Sequence, residues 1–378
     1  MKVSLRSIEE TGDLYGMRVI VRTSLDIPHG EGKVDPNHYR VKRAMPTIEY
    51  LIRKGARVTI LTHVGRDPQN STKELLPIIK EYVPTVFVPG IVGEEVFGKI
   101  VHMKEGTAVL LENLRSDARE ETNDDAFARE LASYANFYVN DAFAVSHREH
   151  ASIVGIPKYL PSFAGITFLE EYRELSKLIE PAHPSLFILG GAKFETKEPL
   201  VQAYVDHYTN TFIGGALAND FMKARGCEVG ASLLSDIDLR GNTLLEHTNL
   251  ITPTDVVAVD GNVGRAISCM DVKNNEKALD IGPETIEKLA PIIANAKTIL
   301  WNGPLGNYED GYMEGTKAVA ELIAKSDAYS VVGGGDTISA IESLGLQDSF
   351  SFLSTAGGAM LHFLEHRTLP GIESLTKA

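Results

Sequence analysis

Cysteine is scarce. Cys227 and Cys269 are the only two, with neither CxxC spacing nor a nearby His, which excludes a disulfide-stapled scaffold and a cysteine-based zinc site and fits a reducing compartment. No stretch approaches the ~18 consecutive apolar residues that a membrane span needs. The opening MKVSLRSIEETGD lacks the basic-then-apolar shape of a signal peptide, so a cytoplasmic protein without membrane contact is expected. Positive charge is in deficit: 37 Lys+Arg face 51 Asp+Glu, a formal net charge of −14. That argues against a nucleic-acid binder, because affinity for a phosphate backbone rests on many clustered Lys and Arg. Neither a G-x-x-x-x-G-K-[ST] loop nor a G-x-G-x-x-G fingerprint occurs, which weakens the P-loop and dinucleotide readings. No repeat of solenoid or propeller period is visible.

What is present is a globular composition, 378 residues with 43% apolar and 23% charged, for which two compact domains are the prior. The charge is uneven. Residues 1–165 hold 21 Lys+Arg against 22 Asp+Glu, and residues 166–378 hold 16 against 29, so a small anion meets less repulsion in the first half. Apolar, β-branched runs alternate with segments of helical period, the pattern of parallel sheets covered by helices, hence an α/β fold. The runs are Met17–Arg22, Arg57–His63, Thr107–Glu112, Phe137–Asn140, Ser185–Leu189, Thr211–Ile213, Thr298–Trp301 and Tyr329–Gly333. A helix is expected over Arg40–Lys54, with an apolar face of Val41, Ala44, Met45, Ile48, Leu51 and Ile52 and Gly55 as its stop. The segment Leu169–Glu180, with an apolar stripe ended by Pro181, is the expected join between two sheets.

In open α/β sheets, ligands bind beyond the carboxyl ends of the strands. Four glycine turns follow apolar runs: Gly190-Gly191, Gly214-Gly215, Gly333-Gly334-Gly335 and, near the end, Gly357-Gly358. Such turns let backbone N–H groups and helix N-termini approach a phosphate, and four in one half point to a nucleotide. Asp336 at the mouth of a helix is either a cap or a ligand of Mg²⁺ bridging nucleotide phosphates. Lys193 and Lys197, four apart, face one phosphate chain if helical, or simply solvent. In the first half, Arg22, Arg40, His63, Arg66, Arg115 and Arg148 follow strands or open helices, and a converging set would suit a small polyanion.

Together these segments resemble phosphoglycerate kinases from about Val19 to Gly371. The most specific stretches are Leu110–Arg115 (LLENLR), Val139–Phe143 (VNDAF), Leu189–Lys193 (LGGAK), Trp301–Pro304 (WNGP) and Gly333–Thr337 (GGGDT). The resemblance implies two Rossmann-like domains with parallel sheets joined by an interdomain helix. It places residues 1–168 with a returning tail 362–378 in a phosphoglycerate-binding domain and 169–361 in a nucleotide-binding domain. It implies transfer of a phosphoryl group between 1,3-bisphosphoglycerate and ADP, with Mg²⁺, ATP and 3-phosphoglycerate as the other participants, domain closure, and a monomer. By motif, Arg40, His63, Arg66, Arg115 and Arg148 would hold the phosphoglycerate. Arg40, Lys193, Gly335 and Gly358 would serve the transferring group. Lys193, Lys197, Asn302, Gly334, Gly335, Thr337, Gly357 and Gly358 would hold the nucleotide phosphates, and Asp336 the metal. Gly214, Gly215 and Pro304 would line the adenine pocket, with Glu309 at the ribose.

The departures from the family pattern are Ser24 and Asp26, where it has Asp and Asn at the glycerate hydroxyl and carboxylate, and Ala216 and Ala356 in place of glycines. Ser24 and Asp26 are retained as substrate contacts. A catalytically weak relative acting as a binding or scaffolding protein is the alternative. A nicotinamide-dependent dehydrogenase shares the broad fold without its fingerprint.

Overall fold

The computed structural model describes residues 4–27, 38–192, 197–261 and 263–376. They divide into two units, residues 1–173 with 368–378, and residues 174–367. Unit 1 holds a six-stranded sheet of β1 (Arg18–Thr23), β2 (Arg57–Leu61), β3 (Thr85–Val88), β4 (Thr107–Leu111), β5 (Phe137–Asp141) and β6 (Ser162–Ala164), in the order β3-β4-β2-β1-β5-β6. All its pairings are parallel. Arg22 of β1 lies opposite Leu61 and Asn140, so the carboxyl ends of three central strands are level and the residues that follow them share one edge.

The helix Tyr39–Arg53 forms much as its period predicts. Val41, Ala44, Met45, Ile48 and Leu51 are buried against Val19, Val21, Val58 and Ile60 of the sheet, each large side chain contributing roughly 1.5–3 kcal/mol. The helix opens with the His38 ring accepting the Arg40 N–H at 3.2 Å, and it stops before Gly55, whose φ of +74° favours glycine.

Unit 2 holds a second all-parallel sheet and a small antiparallel one. Its strands are β7 (Ser185–Leu189), β8 (Asn210–Ile213), β9 (Leu250–Ile251), β10 (Asp255–Asp260), β11 (Val263–Ser268), β12 (Lys277–Ile281), β13 (Thr298–Asn302), β14 (Tyr329–Gly333) and β15 (Phe352–Ser354). The parallel order is β15-β14-β13-β7-β8-β9 and the antiparallel one β11-β10-β12. Every predicted run is a strand to within two residues. Most of the unanticipated strands are short or edge ones, such as the two-residue β9 and the largely exposed β11, which bury too little to show in composition; β10, six residues long, mostly buried and central in its sheet, is the exception.

The joining helix spans Ile166–Ser176 rather than Leu169–Glu180. It starts earlier because the buried Asp141 carboxylate accepts the Phe168 N–H at 2.9 Å and Gly165 O accepts from Leu169. It stops earlier because the chain turns at Leu178, whose carbonyl accepts the Tyr208 hydroxyl at 3.0 Å. The last segment joins unit 1 from Thr368, not from residue 362. The helix Gly358–His366 runs unbroken inside unit 2, where the Leu364 carbonyl accepts from Tyr204 Oη, and ends at left-handed Arg367. The terminal helix Pro370–Thr376 is then tied to unit 1 by Gly371 N–H to Ser146 O at 2.9 Å.

The two cysteines are joined as Cys227–Cys269, with Cα atoms 5.4 Å apart. This is one cross-link inside unit 2, not a framework, and it lends no support to the expected reducing compartment. No helix among the described residues is long and apolar enough to cross a membrane.

Candidate functional site

In unit 1 the residues after β1 and β2 meet. Arg22, 1% exposed, sits at the end of β1. It donates from Nε to Ser152 Oγ at 3.1 Å, from Nη1 to Thr23 O, and from Nη2 to His63 Nδ1 at 3.0 Å. Burial, followed by the charges of Arg22, Arg115 and Arg148, pushes the His63 imidazolium far below the usual histidine range, so the ring is neutral. Asp26 binds the same corner from the other side. Its Oδ1 accepts the Gly65 N–H at 2.8 Å, its carbonyl accepts from Arg40 Nη1 at 2.5 Å, and its Oδ2 lies 3.7 Å from His63 Nε2. Arg115 donates to Gly65 O and lies 3.5 Å from Glu121. Its own pKa is lowered by burial and then by Arg148, with Arg66 also contributing. Arg40, His63, Arg66, Arg115, Arg148 and Asp26 therefore belong to one neighbourhood, with Arg66 on its exposed rim and Ser24 two residues from Asp26.

In unit 2 the turns at Gly191 and Gly215, with Asp336, border a cavity of about 350 Å³; the Gly357–Gly358 turn does not. Gly215, Pro304, Glu309 and Asp336 of the predicted set line it; Gly214 does not, because it packs under Leu305. Gly215 has a φ of +64°, and a Cβ there would lie 2.6 Å from the Gly191 nitrogen, so only glycine lets these two turns close. Ala216 has a φ of −64° and Ala356 is not among the positive-φ residues, so neither alanine is strained where a glycine was expected.

Lys197 Nζ donates to the Gly190 carbonyl, and burial lowers its pKa to about 8 while Asp336 opposes the shift. Lys193 lies outside the described residues. Asn302 is buried at the end of β13, its carbonyl accepting the Gly190 N–H at 2.8 Å.

The helix Gly335–Ser343 has Gly334, φ +100°, at its N-cap and no side-chain cap bond. Asp336 is thus not the cap and its exposed carboxylate is directed by the first turn. Thr337 Oγ1 is buried without a hydrogen-bond partner among the described residues, a donor suited to an arriving phosphate oxygen. Gly357 caps the helix starting at Gly358 in the same way.

Sequence reasoning overlooked the second wall of the cavity: Met222, Leu233, Val256, Asp280, Ile281 and Tyr308. The Asp260-Gly261 pair between alternating residues was a hairpin signal that could have revealed β10–β11. It also overlooked Glu120, Ser152 and His150 behind Arg22, for which isolated polar residues outside any motif gave no signal.

An arginine-rich strand edge on one parallel-sheet unit and a cavity beside glycine turns on another are the features of a phosphotransferase that handles anionic substrates. The phosphoglycerate kinase family profile matches residues 8–367. The phosphoglycerate kinase of Pseudothermotoga lettingae is 40% identical, with 96% of each chain covered. The solved structure of the Coxiella burnetii phosphoglycerate kinase matches with a TM-score of 0.84 at 34% identity, covering 99% of each chain. That of Pyrococcus horikoshii gives 0.87 at 29% identity over 98% of each. The chain belongs to the phosphoglycerate kinase family and is an enzyme, a phosphotransferase. Likeness of this extent does not favour the binding-protein alternative.

Proposed function

We propose that the chain transfers a phosphoryl group reversibly from 1,3-bisphosphoglycerate to ADP, giving 3-phosphoglycerate and ATP, through the residues described above. The observation that carries the reading is the corner at the strand edge of unit 1 where Arg40, His63 and Arg115 gather about Asp26 and Gly65: Arg40 donates to the Asp26 carbonyl, Gly65 N–H to Asp26 Oδ1 and Arg115 to the Gly65 carbonyl, with His63 Nε2 3.7 Å from Asp26 Oδ2. Arg66, Arg115 and Arg148 take the phosphate and carboxylate of 3-phosphoglycerate, and His63, Ser24 and Asp26 its hydroxyl side. Arg40 meets the transferring group.

In unit 2 the adenine enters the cavity by Gly215 and Pro304, with Glu309 at the ribose. Lys193, Lys197, Asn302 and Thr337, with the helix starts at Gly334–Gly335 and Gly357–Gly358, hold the phosphates. The exposed Asp336 and the orphaned Thr337 hydroxyl fit a Mg-nucleotide. Among the described residues no group of three or more His, Cys, Asp or Glu could hold a metal, so Asp336 would hold Mg²⁺ jointly with the nucleotide phosphates. When bound, Mg²⁺ neutralises charge on the phosphates. The protein's own contribution is alignment and positive charge on the equatorial oxygens from Arg40, Lys193 and helix N-termini. A cytoplasmic monomer is the expected form.

The test is ATP formation in a coupled assay, in the parent and in Arg40→Ala and Lys193→Ala, each expected to lose ~10²–10³ in turnover. A parent that binds 3-phosphoglycerate and Mg-ADP yet forms no ATP would overturn the reading.

A further inference from the structure

Behind the substrate-side corner of unit 1 lies a chain of buried polar groups that the proposed transfer does not use directly. Glu120 is 1% exposed; its Oε1 accepts the Ser152 hydroxyl at 2.6 Å and its Oε2 the Ser152 N–H at 2.9 Å. Ser152 Oγ in turn accepts Arg22 Nε at 3.1 Å, and Arg22 Nη2 reaches His63 Nδ1 at 3.0 Å. With Nη1 bonded to Thr23 O, the Arg22 fork is committed inside the protein.

A guanidinium has donors and no acceptor, so His63 Nδ1 must be the acceptor and the ring proton must sit on Nε2. Nε2 is the nitrogen facing Asp26, whose Oδ2 lies 3.7 Å away, too far to be its hydrogen-bond partner. His150 Nδ1 lies 3.7 Å from Glu120 Oε1, the oxygen that accepts the Ser152 hydroxyl. Glu120 therefore opposes the Arg22 charge in a place where an uncompensated cation would be costly.

We propose that Arg22, anchored by Ser152 and Glu120, is a positioning residue that locks His63 in its Nε2–H tautomer and aims that proton at the substrate bound beside Asp26. This rests on the reading of unit 1 as the phosphoglycerate site. Arg22 acts through His63, and Ser152 with Glu120 act through Arg22.

The experiment reads the ring nitrogens of His63 by ¹⁵N-edited NMR, with the resonances assigned through His63→Gln, in the parent, Arg22→Lys and the milder Ser152→Ala. The parent is expected to show an unprotonated Nδ1 and a protonated Nε2 at neutral pH. Arg22→Lys, which keeps a charge but not the fork, is expected to show mixed tautomers. Its KM for 3-phosphoglycerate should rise roughly tenfold, the scale of one hydrogen bond involving a charged group, with the KM for Mg-ADP unmoved. Ser152→Ala should shift both readouts the same way by a smaller factor, and it serves if Arg22→Lys does not fold.

An Nδ1–H ring in the folded parent, or variants that change neither tautomer nor KM, would overturn the lock while leaving the phosphoglycerate reading intact. A locked ring whose resonances do not move on addition of 3-phosphoglycerate would instead overturn that reading, and with it the donor role of His63.

Discussion

Asp26 brings a negative charge to a corner otherwise built from arginines, and its atoms are already half committed. Oδ1 holds the Gly65 N–H and the carbonyl holds Arg40. An asparagine keeps the Oδ1 bond and removes the charge that opposes an anionic ligand. Asp26→Asn is therefore expected to bind 3-phosphoglycerate as tightly as the parent or more so, and Asp26→Ala to lose roughly 0.5–1.5 kcal/mol with its hydrogen bond. Calorimetric titration of the three proteins at fixed salt decides it; a large loss in Asp26→Asn would mean that the carboxylate itself orients the arginines. Lys197 carries the pH dependence of the other unit. Burial holds its pKa near 8, and bound phosphates favour its charged form. Nucleotide binding should then take up a proton around pH 8–9, and Mg-ADP affinity should fall as pH rises above about 8, by at most tenfold per unit. Proton uptake measured in buffers of different ionisation enthalpy checks the sign, and Lys197→Met should abolish it.

At the scale of elements, the unit 2 helices Gly335–Ser343 and Gly358–His366, proposed above to hold phosphates, owe their starts to glycine and not to a side-chain cap. Gly334 and Gly357 hold positive φ at two N-caps, which leaves their first-turn N–H groups pointing outward without a competing oxygen. Asp336 sits in that first turn and makes no cap bond. Asp336→Asn should consequently weaken Mg-ADP binding by tenfold or more while altering fold stability by less than about 0.5 kcal/mol, the range of an ordinary surface substitution. Equal Mg-ADP affinity in the two proteins would remove Asp336 from the metal. The joining helix shows the opposite device. Its N-terminus is satisfied by a side chain from another element, Asp141 at the end of β5, which is why its true start precedes the one its apolar stripe suggests.

For the whole molecule, the asymmetry of charge has a consequence that needs no detailed contact. Residues 1–165 are nearly balanced and residues 166–378 strongly acidic. Added salt screens the attraction of an anion to the arginine cluster and the repulsion of a nucleotide by the acidic half. Raising the ionic strength tenfold with a neutral-pH monovalent salt should weaken 3-phosphoglycerate binding several-fold and weaken Mg-ADP binding less, as parallel titrations would read. The same balance marks what each level of description decides. Alternating apolar runs, helical periods and glycine turns are local properties of the chain, and from them alone came the α/β class, eight strands and the residues at their carboxyl ends. The phosphoglycerate kinase motifs, contiguous in the chain, were likewise readable there. Only the tertiary structure decided that β10 and β12 wall the cavity, that Gly214 packs beneath Leu305 and not at the surface, and that Asp336 is not a cap. It alone brought Glu120, Ser152, Arg22 and His63 into one line, because Ser152 lies 130 residues from Arg22, and hydrogen bonds across such separations depend on strand register, which no local pattern encodes.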